Sequence, residues 1–516
     1  MVRSKKGKIL VFLILNLGTL CAQKQDYIWH LGKDQSTNPG IQAMEVNFSS
    51  GSLPENIQVN TFPVGFHHNN QAICDSKGAL LFYTNGCAVM NQKHEIMPHG
   101  DTLNHSAFKE ITGWDDCNYG YPGIQNIVII DDPGSEEGYY LLHKTIVFNS
   151  EMDGFVRELR FSYVNMNLDN GFGDVVYFDS LLMTENPLGS YLTAIKHSNE
   201  KDWWVIQPLL ETSEVATYLI DGKGIRRMEN QNAHQFFDTW FSGSSGTARF
   251  SPDGDRYAYW NRHANLHLYN FDRTEGLLSS HEKIIIYETV QDTFNNKPGS
   301  VEWSPNSRFL YLSDEDSLHQ VDTWESDIEG NGIKLIDTYN GTLDPFPTTF
   351  RIMCLAPDCK IYMCSGNGSD SYHVINNPDE IGSDCNFVQN GIKLPQHAGS
   401  SNLPLHPRWR VDEEDKCDPS IVSVFGMEVF YRRDLKVYPN PASSFTTIKF
   451  PSELNTGNLK VFNLLGQMVF QTEIENAMEK MDFNLEELPT GPYYFEYYPN
   501  DSQERFIYEA QIIKVD

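Results

Sequence analysis

Thr247-Ala248-Arg249-Phe250 runs into Ser251-Pro252-Asp253-Gly254 and leaves through Arg256-Tyr257-Ala258-Tyr259. The phrase returns as Val301-Glu302-Trp303, Ser304-Pro305-Asn306-Ser307 and Arg308-Phe309-Leu310-Tyr311. It returns again, more worn, as Ile352-Met353-Cys354-Leu355, Ala356-Pro357-Asp358-Cys359 and Lys360-Ile361-Tyr362-Met363. The residues that open the three turns, Ser251, Ser304 and Ala356, stand 53 and 52 positions apart. Each copy reads as a β-hairpin: an apolar strand, a tight turn whose Pro presets φ and whose Asp, Asn or Gly tolerates the bend, then an aromatic return strand. One such turn in a long chain means little; three at nearly equal spacing, each with matching strands, mean a repeat.

Fainter copies lie upstream. Ala72-Ile73-Cys74 turns through Asp75-Ser76-Lys77-Gly78 into Ala79 to Thr84; Asn126 to Ile129 turns at Asp132-Pro133-Gly134 into Tyr139 to Leu142; Thr193-Ala194-Ile195 crosses His197 to Glu200 into Trp203 to Ile206. The six turns fall near residues 75, 133, 198, 251, 304 and 356. A period only slightly above about 40 to 50 residues is that of propeller blades, small sheets that cannot bury both faces alone. Ser371 to Ile375 and Phe387 to Lys393 add two strands, and Leu403 to Arg410 reads as the opening strand of a seventh unit. Strands between Tyr27 and Asn60 would complete it, so that both chain ends share one blade and no edge stays open. The expectation is an all-β chain, a seven-bladed β-propeller over 23–410 with six or eight as the neighbouring counts.

Composition narrows the partners. The 516 residues carry 39 basic against 69 acidic side chains, a formal net charge of −30, which argues against nucleic acid because phosphate recognition needs a basic face. Residues 1–22 have the form of a signal peptide, with Arg3, Lys5, Lys6 and Lys8 ahead of the apolar run Ile9 to Leu15; cleavage between Ala22 and Gln23 is expected. No later stretch approaches the about 18 to 20 apolar residues of a membrane-spanning helix. Beyond Cys21 eight cysteines remain, an even number that permits disulfides in an exported chain without pairing them. Cys354 and Cys364, on the two arms of one predicted hairpin, are the first pair to test.

Further landmarks carry a resemblance. Asn85-Gly86 with Val89-Met90-Asn91, Met97-Pro98-His99-Gly100, Gly171 to Val176, Ile375-Asn376-Asn377-Pro378 and Cys385-Asn386-Phe387 resemble a family of secreted Bacteroidota propellers of the YVTN or WD type. The resemblance implies a fold and an export route, with no ligand or reaction attached. Cys359 stands where that family usually has Gly, and Asn85 where Asp is common. An acidic linker, 411–435, contains Asp412-Glu413-Glu414-Asp415. After it, residues 436–516 alternate like a small antiparallel β-sandwich. Tyr438-Pro439-Asn440-Pro441, the run Val461 to Gln467 with Gly466, Leu488 to Gly491 and the terminal strand with Lys514 closely resemble the C-terminal sorting domain read by the type IX secretion system. That resemblance implies recognition by the secretion machinery at the outer membrane, through the periplasm, to the cell surface or the medium. Pro492 follows Gly491 where the family places Tyr, which predicts a shifted start for that strand.

Chemistry is sparse by comparison. The chain has no phosphate-binding glycine loop, no H-E-x-x-H helix and no nucleophile elbow. His67, His68, His94, His99 and His105 cluster along the chain without diagnostic spacing, and Asp314-Glu315-Asp316 reads as a solvated turn. Cys354-x4-Cys359-x4-Cys364 lacks the short clip of a zinc site. The tryptophans at 203, 204, 240, 260, 303, 324 and 409 read as blade-to-blade packing rather than sugar platforms. No catalytic residue, cofactor or metal is therefore expected. Two functional classes remain: a non-enzymatic scaffold that binds a protein or glycan, which the residues favour, and a secreted polysaccharide hydrolase or lyase. The enzyme would need acidic or histidine side chains converging in the axial funnel, while the scaffold needs only a shaped rim.

Overall fold

A computed structural model describes residues 23–32, 43–53, 56–59, 62–101, 103–106, 120–148, 155–237, 246–288, 298–366, 368–398, 403–411, 431–450, 456–463, 468–474, 479–486, 488–499 and 506–515. Outside them lie the leader with Ala22, Cys117, Trp240, most of the acidic linker with Cys417, and Gly466. The chain divides into two compact units, Met1–Val422 and Ser423–Asp516.

All six turns read from the sequence close with one scheme of backbone bonds. Ser251 N–H donates to Arg256 O and Gly254 N–H to Ser251 O, both at 3.0 Å. Ser304 with Phe309 O and Ser307 with Ser304 O repeat it at 2.8 and 2.9 Å, as do Ala356 with Lys360 O and Cys359 with Ala356 O at 2.9 and 3.0 Å. The turns opening at Asp75, Asp132 and His197 follow suit. In five of the six the fourth residue is left-handed: Gly78, Glu200, Gly254, Ser307 and Cys359 have φ between 60° and 85°. Cys359 thus takes the glycine position of the turn with the backbone unchanged.

Between the turns the strands form small antiparallel sheets in chain order. Seven belong to the first unit among the described residues. The first holds Ile28–Leu31, Met44–Asn47 and Ile57–Val59; the second Gln71–Cys74, Leu80–Thr84 and Val89–Asn91. The third to seventh open with Ile127–Asp131, Thr193–Lys196, Thr247–Phe250, Ser300–Trp303 and Met353–Leu355, each followed by three strands or more. Opening strands of the first three sheets stand side by side, as do those of the fourth to seventh, which is the organisation of a β-propeller. Polar side chains near the start of these strands fasten one sheet to another: Gln71 Oε1 accepts from Ile129 N–H (2.9 Å), Thr247 Oγ1 from Val301 N–H (2.9 Å) and Ser300 Oγ from Met353 N–H (3.2 Å). Farther out, the fully buried tryptophans 203, 204, 260 and 303 pack between sheets and spend their indole N–H groups on neighbours, Trp260 on Ser313 O (2.9 Å) and Trp204 on Arg273 O (2.7 Å).

One expectation is corrected. Leu403 to Arg410 forms no strand among the described residues and does not complete the first sheet; it makes a single parallel bridge, Arg408 to Ile195 of the fourth sheet. It lies instead against the opening strands of several sheets at once. Gln71 Nε2 donates to Leu405 O (2.9 Å), the Cys354 thiol to Pro404 O (3.0 Å), and Arg408 N–H to Ala194 O (3.1 Å). The chain ends are tied through Arg410, which forks onto the Asp26 carboxylate at 2.7 and 2.8 Å and reaches Gln23 O at 2.9 Å. A strand pairs with one or two neighbours; beyond its one bridge to the fourth sheet, this segment is held by side chains from several others.

The expected Cys354–Cys364 bridge is also absent: both thiols are free and buried. The register explains it, because Cys354 faces Tyr362 while Cys364 bonds to Ile352, leaving the sulfurs diagonal rather than opposite. Cys87 and Cys359 are each disulfide-bonded.

The second unit has two sheets that share one core. Tyr431–Asp434, Phe506–Lys514, Gly491–Pro499, Gly457–Asn463 and Met468–Ile474 form one; Lys436–Tyr438, Phe445–Lys449 and Lys480–Asn484 form the other. Ile448, Phe450 and Phe483 from the smaller sheet meet Leu459, Val461, Phe495 and Tyr497 from the larger. The strand at Gly491 starts on that residue, opposite Lys514, so Pro492 produces no shift.

Candidate functional site

The centre of the first unit is an ion network hung on Arg408. Its Nε donates to Phe250 O (2.8 Å) and its Nη2 to Glu302 Oε1, so three consecutive sheets meet at one guanidinium-bearing residue. Arg249 Nη1 donates to His406 O at 2.8 Å; its Nε lies 3.0 Å from Glu302 Oε2, an ion pair whose angle is too bent for a hydrogen bond. Glu302 is fully buried and also accepts from Trp303 N–H (2.9 Å) and Leu355 N–H (3.2 Å). Burial alone would raise its pKa, yet the charges of Arg249 and Arg408 with the two amides hold it below the usual carboxylate range. Burial pushes the neighbouring His406 down to about 4. Asp26, Arg249, His406, Arg408 and Arg410 line a narrow cavity here, Arg410 paired with Asp26 and both Arg249 and Arg408 with Glu302. An ionised, arginine-bound glutamate holds sheets together and has no proton to give.

A second cluster lies between the first two sheets. Antiparallel register sets His30 opposite Glu45, and His30 Nε2 lies 3.2 Å from Glu45 Oε2. From the second sheet comes His94, one ligand atom from each of the three lying within 4.8 Å of the others. Asn91 positions it: the Asn91 side chain accepts from Lys93 N–H (2.9 Å) and Glu95 N–H (3.2 Å), and His94 N–H donates to Asn91 O (3.0 Å), bending His94 to φ +62°. Phe62, Phe66 and Tyr83 wall the His30 ring at centroid distances of 5.1, 5.0 and 4.2 Å. Burial raises the Glu45 pKa, but the His30 hydrogen bond and the charges of His30 and His94 hold it below its ordinary value.

Of the histidines grouped along the chain, only His94 belongs to this cluster. His67 and His68 lie ring to ring at 4.5 Å, and His99 pairs on the surface with Asp174 at 2.8 Å. His30 and Glu45 escaped the sequence reading; the available signal was a histidine inside the otherwise apolar run Ile28-Trp29-His30-Leu31. Asp314 is a correction of another kind. Far from solvated, it is 1% exposed, pairs with Arg262 (3.2 Å) and caps its own turn through Ser317 N–H (2.9 Å). Trp324, 63% exposed against Arg308, is the tryptophan that does not pack between sheets among those described.

In the second unit the motif residues gather on the final strand. The Asn440 amide acts as a substitute peptide group, donating to Gln511 O (2.7 Å) and accepting from Ile513 N–H (3.0 Å). Lys514 Nζ caps Leu488 O and Glu486 O in the loop before Gly491. Thr446 Oγ1 donates to Pro439 O at 3.0 Å.

Residues 436–509 match the secretion system C-terminal sorting domain, and the chain therefore carries an export tail. No curated protein matches the chain. Similar solved structures include PorZ, an essential bacterial surface component of the type IX secretion system of Porphyromonas gingivalis (11% identity, 92% of this chain and 68% of that one, TM-score 0.29). A functionally unknown protein from Desulfotomaculum acetoxidans is another (11%, 73% and 99%, TM-score 0.38), as is a quinonprotein alcohol dehydrogenase-like protein from Bacteroides thetaiotaomicron (8%, 73% and 76%, TM-score 0.34). Likenesses this distant add no argument about chemistry.

Proposed function

We propose that this chain is a closed seven-bladed propeller, exported by the type IX secretion system and acting at the cell surface or in the medium as a non-enzymatic scaffold for a protein or glycan partner. In this reading residues 1–22 are removed between Ala22 and Gln23, 23–410 form the propeller, 411–435 the linker and 436–516 a β-sandwich sorting domain. The observation that carries it is the sorting domain at 436–509 behind a unit of seven sheets.

Closure is supported by Arg408, whose main chain and side chain touch the fourth, fifth and sixth sheets, while its neighbours reach the second and seventh and Arg410 the residues before the first. Five of the seven sheets thus send a bond to the one segment Leu403 to Arg410, as opening strands arranged around it would. The scaffold reading is supported by the state of that centre, where Glu302, held ionised between arginines, is the opposite of the general acid that sugar cleavage requires. The purified protein, screened against glycan and protein arrays beside a polysaccharide hydrolysis assay, should bind saturably and release no reducing ends. Turnover of any polysaccharide would replace the scaffold with the hydrolase or lyase.

A further inference from the structure

We propose that His30, Glu45 and His94 bind one divalent transition-metal ion, zinc foremost, as a clasp between the first two sheets. Two imidazoles and one carboxylate form a borderline donor set suited to zinc and its first-row neighbours. With metal–ligand distances of about 2.0 to 2.2 Å, two ligand atoms on one tetrahedral ion lie roughly 3.3 to 3.6 Å apart. His30 Nε2 and Glu45 Oε2, at 3.2 Å, are close to one such edge. Their separation is set by main-chain register rather than by side-chain chance, since the two residues face each other across an antiparallel pair.

The third ligand must arrive from another sheet, and His94 does so from a turn fixed by three hydrogen bonds to Asn91. Its Nδ1 is buried with no hydrogen-bond partner among the described residues, a cost that an ion would relieve. The Tyr83 hydroxyl, whose ring lies 4.2 Å from His30, is orphaned in the same way, and a metal-bound water would satisfy it. Phe62 lies 4.9 Å from the His94 ring and 5.1 Å from His30, so the ion would sit against an aromatic wall that keeps bulk water away. Uncharged imidazoles and one carboxylate leave a net positive centre with a coordination position for water. Because the ligands come from two sheets, binding adds a bond between them and acts on stability.

The test uses the full chain purified, stripped with a chelator and titrated with Zn²⁺ by calorimetry, with metal content measured after dialysis. One equivalent should bind and raise the melting temperature. His94→Asn, which tolerates the left-handed backbone, should keep the metal-free melting temperature, lose more than about tenfold in affinity and lose the zinc-dependent rise. Glu45→Gln carries the same test if His94→Asn fails to fold. His99→Ala, removing an exposed histidine outside the cluster, should bind as the parent does. Unsaturable binding, or undiminished one-to-one affinity in the His94 and Glu45 variants, would overturn the clasp.

Discussion

Glu302 is fully buried between Arg249 and Arg408, so removing its charge leaves two guanidinium groups stranded away from water. Glu302→Gln should lower unfolding free energy by about 3 to 5 kcal/mol in denaturant titrations, the cost of breaking a buried pair from one side. The effect has a pH signature. The folded carboxyl titrates below its ordinary 4.5, so its contribution is complete above that pH and fades as pH falls toward the lower folded value. The gap between parent and Glu302→Gln stability should therefore be constant at neutral pH and narrow in acid below 4.5; a gap unchanged in acid would contradict the pairing. Gly254 tests the turn. Its φ is +81°, and a Cβ there would lie 2.5 Å from Arg273 Cδ and 2.7 Å from Val411 Cγ1. Gly254→Ala should cost more than about 1 kcal/mol, seen as a lowered denaturant midpoint.

The segment from Leu403 to Val411 is the element that the repeat cannot explain. Trp409 packs edge-on against Trp203 with centroids 4.7 Å apart and is 2% exposed. Trp409→Ala should cost about 3 to 5 kcal/mol in the same titration, whereas Trp324→Ala, on the surface, should change little. This contrast also marks what sequence could and could not disclose. The turns were readable because their bonds span a handful of residues and recur at a fixed period; the Ser251 and Ser304 copies even share the side-chain bond to the return strand, at 3.1 and 2.8 Å. The role of Leu403 to Arg410 was not, since its partners stand 334 residues away at Gln71, 157 at Arg249 and 106 at Glu302, and a short apolar run looks the same inside one sheet and across several. His30 and Glu45 stayed hidden for a related reason: their pairing depends on the register of two strands whose connection, residues 32–43, is too long for its Asn38-Pro39-Gly40 turn signal to fix it, and His94 follows a strand of a different sheet. The Cys354 and Cys364 expectation failed on register alone, two residues out of place across a hairpin.

At the scale of the molecule, a propeller built of small sheets is joined to a sorting tail that matches a secretion-system domain. The Asn440 amide bonds to both sides of the last strand, and Lys514 ties that strand to the loop before Gly491. Asn440→Ala should thus weaken the tail by about 1 to 3 kcal/mol, detectable as lower protection of the Gln511 to Ile513 amides in hydrogen exchange. The most direct test of the whole is fractionation of cells making the full chain or one ending at Leu435. The account predicts the full chain at the surface or in the medium and the shortened one, folded, in the periplasm. Delivery of the shortened chain to the surface at the parental level would contradict it.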